Sequence, residues 1–290
     1  MKPVEIIPAR NTLGEGIQWD ALGQTLWWTD IQARELLRCQ WPAVDTMIRS
    51  SLPERLGSFG LCADGQRLIA AFESGIARYD LNRGTTEWLM KLPPMPAKVR
   101  FNDGRVDRQG RFWCGTMVEG DRSIALGQLF CTERQGEVQC REEGILISNG
   151  ICWSPNSERF FFADSPRHEI YAFDFDAVGG RLSNRRVFAR TPEGVHPDGA
   201  DVDEEGGLWS AQWGAGQVAR YTPDGKVDRL LKVPASQPTC VAFGGPDLKH
   251  LFVTSARDGL NDAALDAQPQ AGNVFVFETD VRGLPSARFA

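Results

Sequence analysis

A dipeptide that ends in glycine recurs along the chain at nearly constant intervals. Four copies begin with an acidic or amide residue, namely Glu15-Gly16, Asp103-Gly104, Asn149-Gly150 and Asp198-Gly199. Phe59-Gly60 and Thr239-Cys240 fill the corresponding places between and after them, and successive steps measure 41 to 49 residues. This interval is typical of one four-stranded propeller blade rather than of a helical repeat. Six such units account for the whole chain.

Each of these dipeptides is followed by a turn and then by a short run of aromatic or β-branched residues, such as 26–29, 112–115 or 251–254. Each run then meets a partner run, for example 36–39 or 274–277. Short β-rich runs separated by Asp-Gly, Asn-Ser and Gly-Gly turns predict hairpins. No long stretch with helical periodicity competes with them. The sequence therefore predicts an all-β fold, a six-bladed β-propeller with a central channel, in which residues 1–290 form a single domain.

The N-terminal run 4–7 is too short to be a blade but has the character of one strand. Because a propeller must close its ring, we expect this strand to pair with the last blade, which contains residues 274–277. A frayed terminus is the alternative. Residues 1–10 contain no long apolar segment, so neither a signal peptide nor a membrane span is predicted.

Charge and cysteine usage argue against several kinds of partner. The chain has 38 acidic and 32 basic residues, a net charge of -6, and its arginines are dispersed. This pattern is not that of a protein that binds nucleic acid or an anionic membrane. The 7 cysteines include no C-x-x-C pair and the 3 histidines are scattered. We therefore expect reduced thiols in a cytoplasmic protein with a small-molecule partner, and no prediction follows for its oligomeric state.

The first strand of each propeller blade lines the central channel, so residues at one phase of the repeat gather in a ring. This places Glu15, Asn102 or Asp103, Asn149 and Asp198 together. Carboxylate and amide oxygens suit calcium, magnesium or manganese, and positions filled by water would also permit zinc or iron. The alternative is that these residues only form turns, because Asp-Gly and Asn-Gly are strong hairpin signals. Each of them precedes an apolar strand pattern instead of joining two strands, which favours the ligand interpretation.

Six segments in this order resemble the SMP-30/gluconolactonase (regucalcin-like) family. They are LGEG at 13–16, RFNDGRVD at 100–107, GTM at 115–117, ISNG at 147–150, PDG at 197–199 and TSARDGL at 254–260. Any one of these motifs is a weak signal, whereas six in family order are a strong one. The resemblance implies a six-bladed propeller that holds one divalent metal ion in its channel and hydrolyses lactones of sugar acids.

The resemblance also implies roles for individual residues. It makes Glu15, Asn149 and Asp198 the metal ligands, with Asp198 also a candidate general base. Substrate contacts are implied for Arg100, Asn102 and Glu119. The repeat phase alone favours Asp103 over Asn102. We adopt the assignment that the resemblance implies, and expect Asp103 to contact the metal ligands without binding the metal itself.

The expected activity is that of a lactonase, a carboxylic-ester hydrolase that opens a pentono- or hexonolactone to the free aldonic acid in sugar catabolism. Two other functions stay open, because fold does not determine function. One is a paraoxonase-like or organophosphate-cleaving hydrolase, and the other is a non-enzymatic calcium-binding regulatory protein. The polar residues Arg100, Asn102 and Glu119 favour a polyol substrate over the first. Residues 257–272, with a short helical pattern, are a candidate lid over the site or a surface excursion.

Overall fold

The computed structural model describes residues 2–94, 96–121 and 123–290. In these ranges the strands form six antiparallel sheets of four strands each. Strand β1 (Glu5–Ile7) comes first in the chain. Blade 1 then comprises β2–β5, which are Gly14–Asp20, Thr25–Asp30, Glu35–Gln40 and Ile48–Ser51. Blade 2 comprises β6–β9, which are Leu56–Leu61, Arg67–Phe72, Gly75–Asp80 and Thr86–Lys91. Blade 3 comprises β10–β13, which are Val99–Val106, Phe112–Val118, Gly127–Thr132 and Val138–Ile145.

The second half of the chain repeats this arrangement. Blade 4 comprises β14–β17, which are Ser148–Trp153, Arg159–Asp164, Glu169–Asp176 and Arg181–Arg190. Blade 5 comprises β18–β21, which are His196–Val202, Leu208–Trp213, Gln217–Tyr221 and Val227–Lys232. Blade 6 contains β22–β24, which are Pro238–Gly244, His250–Ser255 and Val274–Glu278. Helix α1 (Asp262–Ala267) lies between β23 and β24, and two 3₁₀ turns occur at Val44–Thr46 and Ser165–Arg167. The predicted six-bladed propeller is confirmed.

The ring is closed by the N-terminal strand, as expected from the sequence. Strand β1 is the outermost strand of blade 6 and pairs antiparallel with β24, with Glu5 opposite Val276 and Ile7 opposite Val274. Trp19 of blade 1 also stacks on Phe252 of blade 6, with ring centroids 6.2 Å apart. Pairing and packing therefore both join the two ends of the repeat.

The first strands of the six blades surround the central channel. Each contacts the first strand of the next blade, in the order β2, β6, β10, β14, β18, β22 and back to β2. These strands are almost wholly buried, whereas every residue of the outer strand β5 is exposed. None of the helices in the described ranges has the length and apolar character needed to cross a bilayer. All seven cysteines carry free thiols, and Cys140 alone among them is exposed.

A buried aspartate organises the turn after the channel strand in blade 5. The Asp203 carboxylate accepts hydrogen bonds from the backbone N–H of Gly207 at 2.8 Å and from the indole Nε1 of Trp209 at 2.8 Å. It also pairs with the Nε of Arg220 at 2.7 Å, and none of Asp203 is exposed. In blade 3, Asp107 contacts Trp113 and Arg111 in the same way. The spacing from aspartate to tryptophan is shared, so the turn is a repeated structural device.

Neutralising this aspartate is expected to destabilise the fold. Removing one partner of a buried ion pair typically costs about 3–5 kcal/mol, because the other charge stays buried. Arg220 keeps contacts to Glu205 and Asp228, so for Asp203→Asn we expect about 3 kcal/mol, the low end of that range. Urea unfolding measures this free energy. The control is Asp224→Asn, at an exposed turn beside Lys226, which is expected to unfold at the same urea concentration as wild type. Equal stability of the two variants would contradict the prediction.

Candidate active site

The residues that the sequence places in a ring do meet at one end of the channel. Glu15 lies on β2, Asn149 on β14 and Asp198 on β18, and each is less than 7% exposed. The pairing of each of these strands with its neighbour shifts register at or immediately after this position, as in a β-bulge. The adjoining Gly16 and Gly150 adopt φ values of 58° and 63°, a left-handed backbone that favours glycine. The left-handed backbone at the bulge explains why Glu15 and Asn149 are each followed by glycine.

These side chains open into a cavity of about 250 Å³. The polar part of its wall consists of Glu15, Arg100, Asn102, Asn149, Ser165, His196, Asp198 and Asp258. Its apolar part consists of Leu13, Met117, Ile147, Pro166 and Trp213. A mostly concave site with a few convergent polar groups is the usual form of a small-molecule site. Apart from the residues at the repeat phase and Arg100, the residues of the cavity wall are not marked by the repeat pattern of the sequence.

Burial strongly perturbs the two carboxyl groups of the ring. Desolvation, and then the nearby charge of Asp103, raise the pKa of Glu15 from its ordinary value of 4.5 to about 8. Desolvation, followed by the charges of Glu15 and Asp103, raises the pKa of Asp198 well above its ordinary value. Without a cation, burial therefore favours the protonated form of both groups. Perturbed carboxyls grouped in a cleft are typical of functional sites.

Asn102 and Asp103 occupy different places, because the β10–β11 pairing shifts register between Phe101 and Gly104. Asn102 lines the cavity, as the family resemblance implies. Asp103 is not among the cavity-lining residues, and its carboxylate accepts hydrogen bonds from the N–H of Gly104 at 2.8 Å and of Ile151 at 3.0 Å. Asp103 therefore holds the channel strands of blades 3 and 4 together behind the cavity.

Arg100 reaches across the cavity edge and connects several groups. Its Nε contacts the Glu119 carboxylate at 3.1 Å, and its Nη1 donates to the backbone oxygen of Phe101 at 2.9 Å and to Oδ1 of Asn102 at 2.8 Å. Among the residues that the structure describes, its Nη2 has no hydrogen-bond partner. Because Arg100 lines the cavity, this nitrogen is the donor left for a ligand.

Glu119 is held at the rim by three cations. Arg55 binds it through two parallel hydrogen bonds of 2.8 and 2.9 Å, and Lys98 lies 3.0 Å away. The hydrogen bonds from Arg55 are the main cause that lowers the pKa of Glu119 to about 2. Glu119 is not among the residues that line the cavity, and a direct contact with substrate stays a prediction. Arg55, which the sequence did not single out, determines the position of Glu119.

The segment between β23 and β24 contributes Asp258 to the cavity wall. The backbone N–H groups of Arg257 and Asp258 both donate to the carbonyl of Thr12, each at 2.9 Å. Helix α1 is capped by Asn261, whose side chain accepts from the N–H of Ala264 at 2.9 Å. The sequence pattern predicts a helix at 260–265, and the observed helix begins and ends two residues later, at Asp262–Ala267. A role as a lid stays a prediction.

The donor set at the channel end fits a divalent ion through oxygen atoms. Within the described ranges, no group of three or more His, Cys, Asp or Glu side chains is arranged to hold a metal. The candidate set instead combines two carboxylates, Glu15 and Asp198, with the amide oxygen of Asn149. Two buried carboxylates whose pKa values are raised by desolvation and by repulsion from neighbouring carboxylates gain most from a cation between them. Hard ions such as calcium, magnesium and manganese prefer such ligands.

His196 also lines the cavity, two residues before Asp198. Its Nδ1 lies 3.2 Å from the backbone oxygen of Ser165, and its ring stacks on His168 with centroids 4.6 Å apart. The ring is thus held in place at the cavity wall. The sequence contains no G-x-S-x-G motif, so nothing indicates a serine nucleophile activated by this histidine.

Comparisons with known proteins agree with the fold and with the motifs. A sequence model described as the SMP-30/gluconolactonase/LRE-like region matches residues 13–257. L-arabinolactonase from Azospirillum brasilense is 39% identical over 285 residues, 97% of this chain and 93% of the relative. 6-Deoxy-6-sulfogluconolactonase from Pseudomonas putida is 37% identical over 287 residues, 98% of this chain and 97% of the relative. The crystal structure of regucalcin from Agrobacterium tumefaciens, described as a calcium-binding protein, has a TM-score of 0.93 at 30% identity, covering 100% of this chain and 98% of that one.

Proposed function

Because the chain belongs to the SMP-30/gluconolactonase/LRE-like family, we propose that it is a metal-dependent lactonase that opens a sugar-acid lactone to the free aldonic acid. The observation that carries this proposal is the pair of buried carboxylates, Glu15 and Asp198, beside an amide oxygen in a cavity of about 250 Å³. Two relatives named as lactonases of sugar acids support the substrate class. A pentono- or hexonolactone is the proposed substrate.

Glu15, Asn149 and Asp198 would hold the metal ion. When bound, a divalent ion supplies Lewis-acid stabilisation of the negative charge that develops on the lactone oxygen. Glu15 and Asp198 would both be ionised beside such a charge, which burial alone opposes. Calcium, zinc, manganese, magnesium and iron are all compatible with an oxygen ligand set.

Asp198 is the proposed general base. Hydrolysis of a lactone requires a water molecule to lose a proton as it attacks the carbonyl carbon, and a carboxylate within hydrogen-bond reach can accept it. Beside the bound ion the Asp198 carboxyl would be ionised, and its carboxylate could accept this proton. The protonated group then returns the proton to the ring oxygen as the acyl–oxygen bond breaks.

Arg100 and Asn102 are the proposed substrate contacts. The free Nη2 of Arg100 can donate to a ring hydroxyl, and its Nε and Nη1 are held by Glu119 and Asn102. Because its partners fix the guanidinium, little conformational entropy is lost when a hydroxyl binds. Glu119 is proposed to act through Arg100 unless the substrate also reaches the rim.

Acid release from a panel of pentono- and hexonolactones in a pH-stat tests this function. We expect a rate far above spontaneous hydrolysis on at least one sugar lactone, and a lower rate on a simple aliphatic lactone that lacks hydroxyls. An organophosphate ester serves as the probe for the alternative hydrolase. If metal-loaded protein hydrolyses no lactone faster than buffer, the proposed function is wrong.

The raised pKa values predict how metal binding depends on pH. In the metal-free protein Glu15 has a pKa of about 8 when folded and an ordinary value of 4.5 when unfolded, so the folded state retains protons between these values. Its contribution to stability is therefore present at low pH and is lost as pH rises toward 8. A cation must displace these protons, so its affinity should rise up to about tenfold per pH unit for each proton displaced.

Differential scanning calorimetry with and without Mn²⁺ measures this effect. We expect the metal-induced rise in melting temperature to be larger at pH 8 than at pH 5. Glu15→Gln removes one titrating group and is expected to weaken this dependence on pH. A metal-induced shift that is the same at both pH values would contradict the assignment of these carboxyls as ligands.

A further inference from the structure

Ser165 connects a proposed metal ligand to the neighbouring blade. It begins the 3₁₀ turn that follows β15 and is 5% exposed. Its Oγ accepts a hydrogen bond from Nδ2 of Asn149 at 2.8 Å and donates to the backbone oxygen of Pro197 at 2.7 Å. Pro197 immediately precedes Asp198. One hydroxyl therefore links blade 4 to blade 5 between two of the candidate ligands.

The direction of these hydrogen bonds is determined by what each group can donate. A backbone carbonyl only accepts, so the single proton of Ser165 is used on Pro197. Toward Asn149 the hydroxyl can then only accept, and the amide must present its nitrogen. The amide oxygen of Asn149 is the atom left for a cation.

The hydrogen bond on the other side of the Asn149 amide requires the same orientation. Arg100 has only donors, so Asn102 turns its Oδ1 to the guanidinium and its Nδ2 to the next acceptor. That nitrogen donates to Oδ1 of Asn149 at 2.9 Å. A reversed Asn149 amide would place N–H against N–H on one side and oxygen against oxygen on the other. The carbonyl of Pro197 can only accept and the guanidinium of Arg100 can only donate. Together they fix the direction of each hydrogen bond in the series between them.

We propose that Ser165 is a positioning residue that holds the Asn149 amide with its oxygen available to the metal ion. This inference rests on the proposed metal site. An asparagine side chain has two ends of almost equal size, so packing alone does not distinguish them. A reversed amide would direct N–H donors at the cation and remove one of the three ligands. Groups that orient a ligand in this way typically change metal affinity about 10- to 100-fold when they are removed.

The dissociation constant of Mn²⁺, measured by the electron paramagnetic resonance signal of the free ion, tests this role without relying on turnover. For Ser165→Ala we expect the dissociation constant to rise about tenfold or more. Ser165→Thr keeps the hydroxyl and should recover most of the affinity. The matched control is Ser58→Ala, which removes a fully buried hydroxyl of a channel strand that has no hydrogen-bond partner among the described residues. Its Mn²⁺ affinity should equal that of wild type.

A double-mutant cycle separates orientation of the amide from general loosening of the turn. A carboxylate at position 149 has two equivalent oxygens, so it needs no hydrogen bond with Ser165 to orient it. In the Asn149→Asp background, Ser165→Ala is therefore expected to change the Mn²⁺ dissociation constant much less than it does alone. An equal loss in both backgrounds would overturn the proposal.

The outcomes for the metal site and for Ser165 can be told apart. If wild type binds one Mn²⁺ and folded Ser165→Ala binds it equally well, the role of Ser165 is wrong and the metal site stands. If wild type binds no Mn²⁺, calcium or zinc, the metal site fails and the inference fails with it. If circular dichroism shows Ser165→Ala to be unfolded, Ser165→Cys replaces it, because a thiol is a poor hydrogen-bond acceptor of similar size. The same rise in dissociation constant is expected.

Discussion

Removal of divalent ions with a chelator is expected to abolish lactone hydrolysis, and adding back a suitable ion should restore it. In the metal-free site, Glu15 and Asp198 lie together in a desolvated channel, and burial raises the pKa values of both carboxyls. The metal-free site therefore favours the protonated form of both groups, and a protonated Asp198 cannot accept a proton from water. The electrostatic stabilisation of the developing oxyanion is lost as well, a term that is commonly worth several kcal/mol.

The add-back experiment should use calcium, zinc, manganese, magnesium and iron separately, at equal free concentrations. Restored activity identifies the competent ions, and the ion with the highest rate need not be the one that binds most tightly. Melting temperature on the same samples gives an independent readout, because an ion that binds only the folded state stabilises it. Full activity of chelated protein that contains no metal by elemental analysis would refute the proposed metal dependence.

The repeat pattern predicts the fold well because it reports on the buried inner strands. The second strand of each blade carries an apolar run, and the closing strand pairs where the pattern places it. Outer strands are harder to predict, since they face solvent on one side and need no such pattern. The strand Arg181–Arg190 is mostly exposed and polar, and its sequence alone resembles a loop.

The candidate site is predicted less completely, because its contacts cross between blades. Repeat phase places Glu15, Asn149 and Asp198 correctly in the channel but is one residue in error for Asn102, since a bulge in β10 shifts the register. Ser165 and Trp213 reach the cavity from outside the channel strands, where no repeated motif marks them. A sequence pattern follows one strand, whereas the site depends on how neighbouring strands are staggered.

Asp198→Asn is expected to lower the rate of hydrolysis by about 10²- to 10⁴-fold, the usual scale for loss of a general base. The amide keeps the size of the side chain and an oxygen that can still contact the cation, but it cannot accept the proton of water. The loss should therefore appear in kcat at saturating lactone and should persist at saturating metal. A 10²-fold loss corresponds to about 2.7 kcal/mol in the activation free energy.

Glu15→Gln provides the contrast that separates the two roles of a carboxylate in this channel. It removes a proposed ligand charge without removing the proposed base, so its activity should recover as metal concentration rises, whereas that of Asp198→Asn should not. Asp64→Asn, at an exposed turn of blade 2 where the carboxylate pairs with Arg67 at 2.6 Å, controls for surface charge and should retain wild-type kcat. The pH–rate profile adds a further readout, because the limb that reports ionisation of the base should disappear in Asp198→Asn. Wild-type kcat in metal-saturated Asp198→Asn would assign proton transfer to another group, and Asp198 would then be a ligand only.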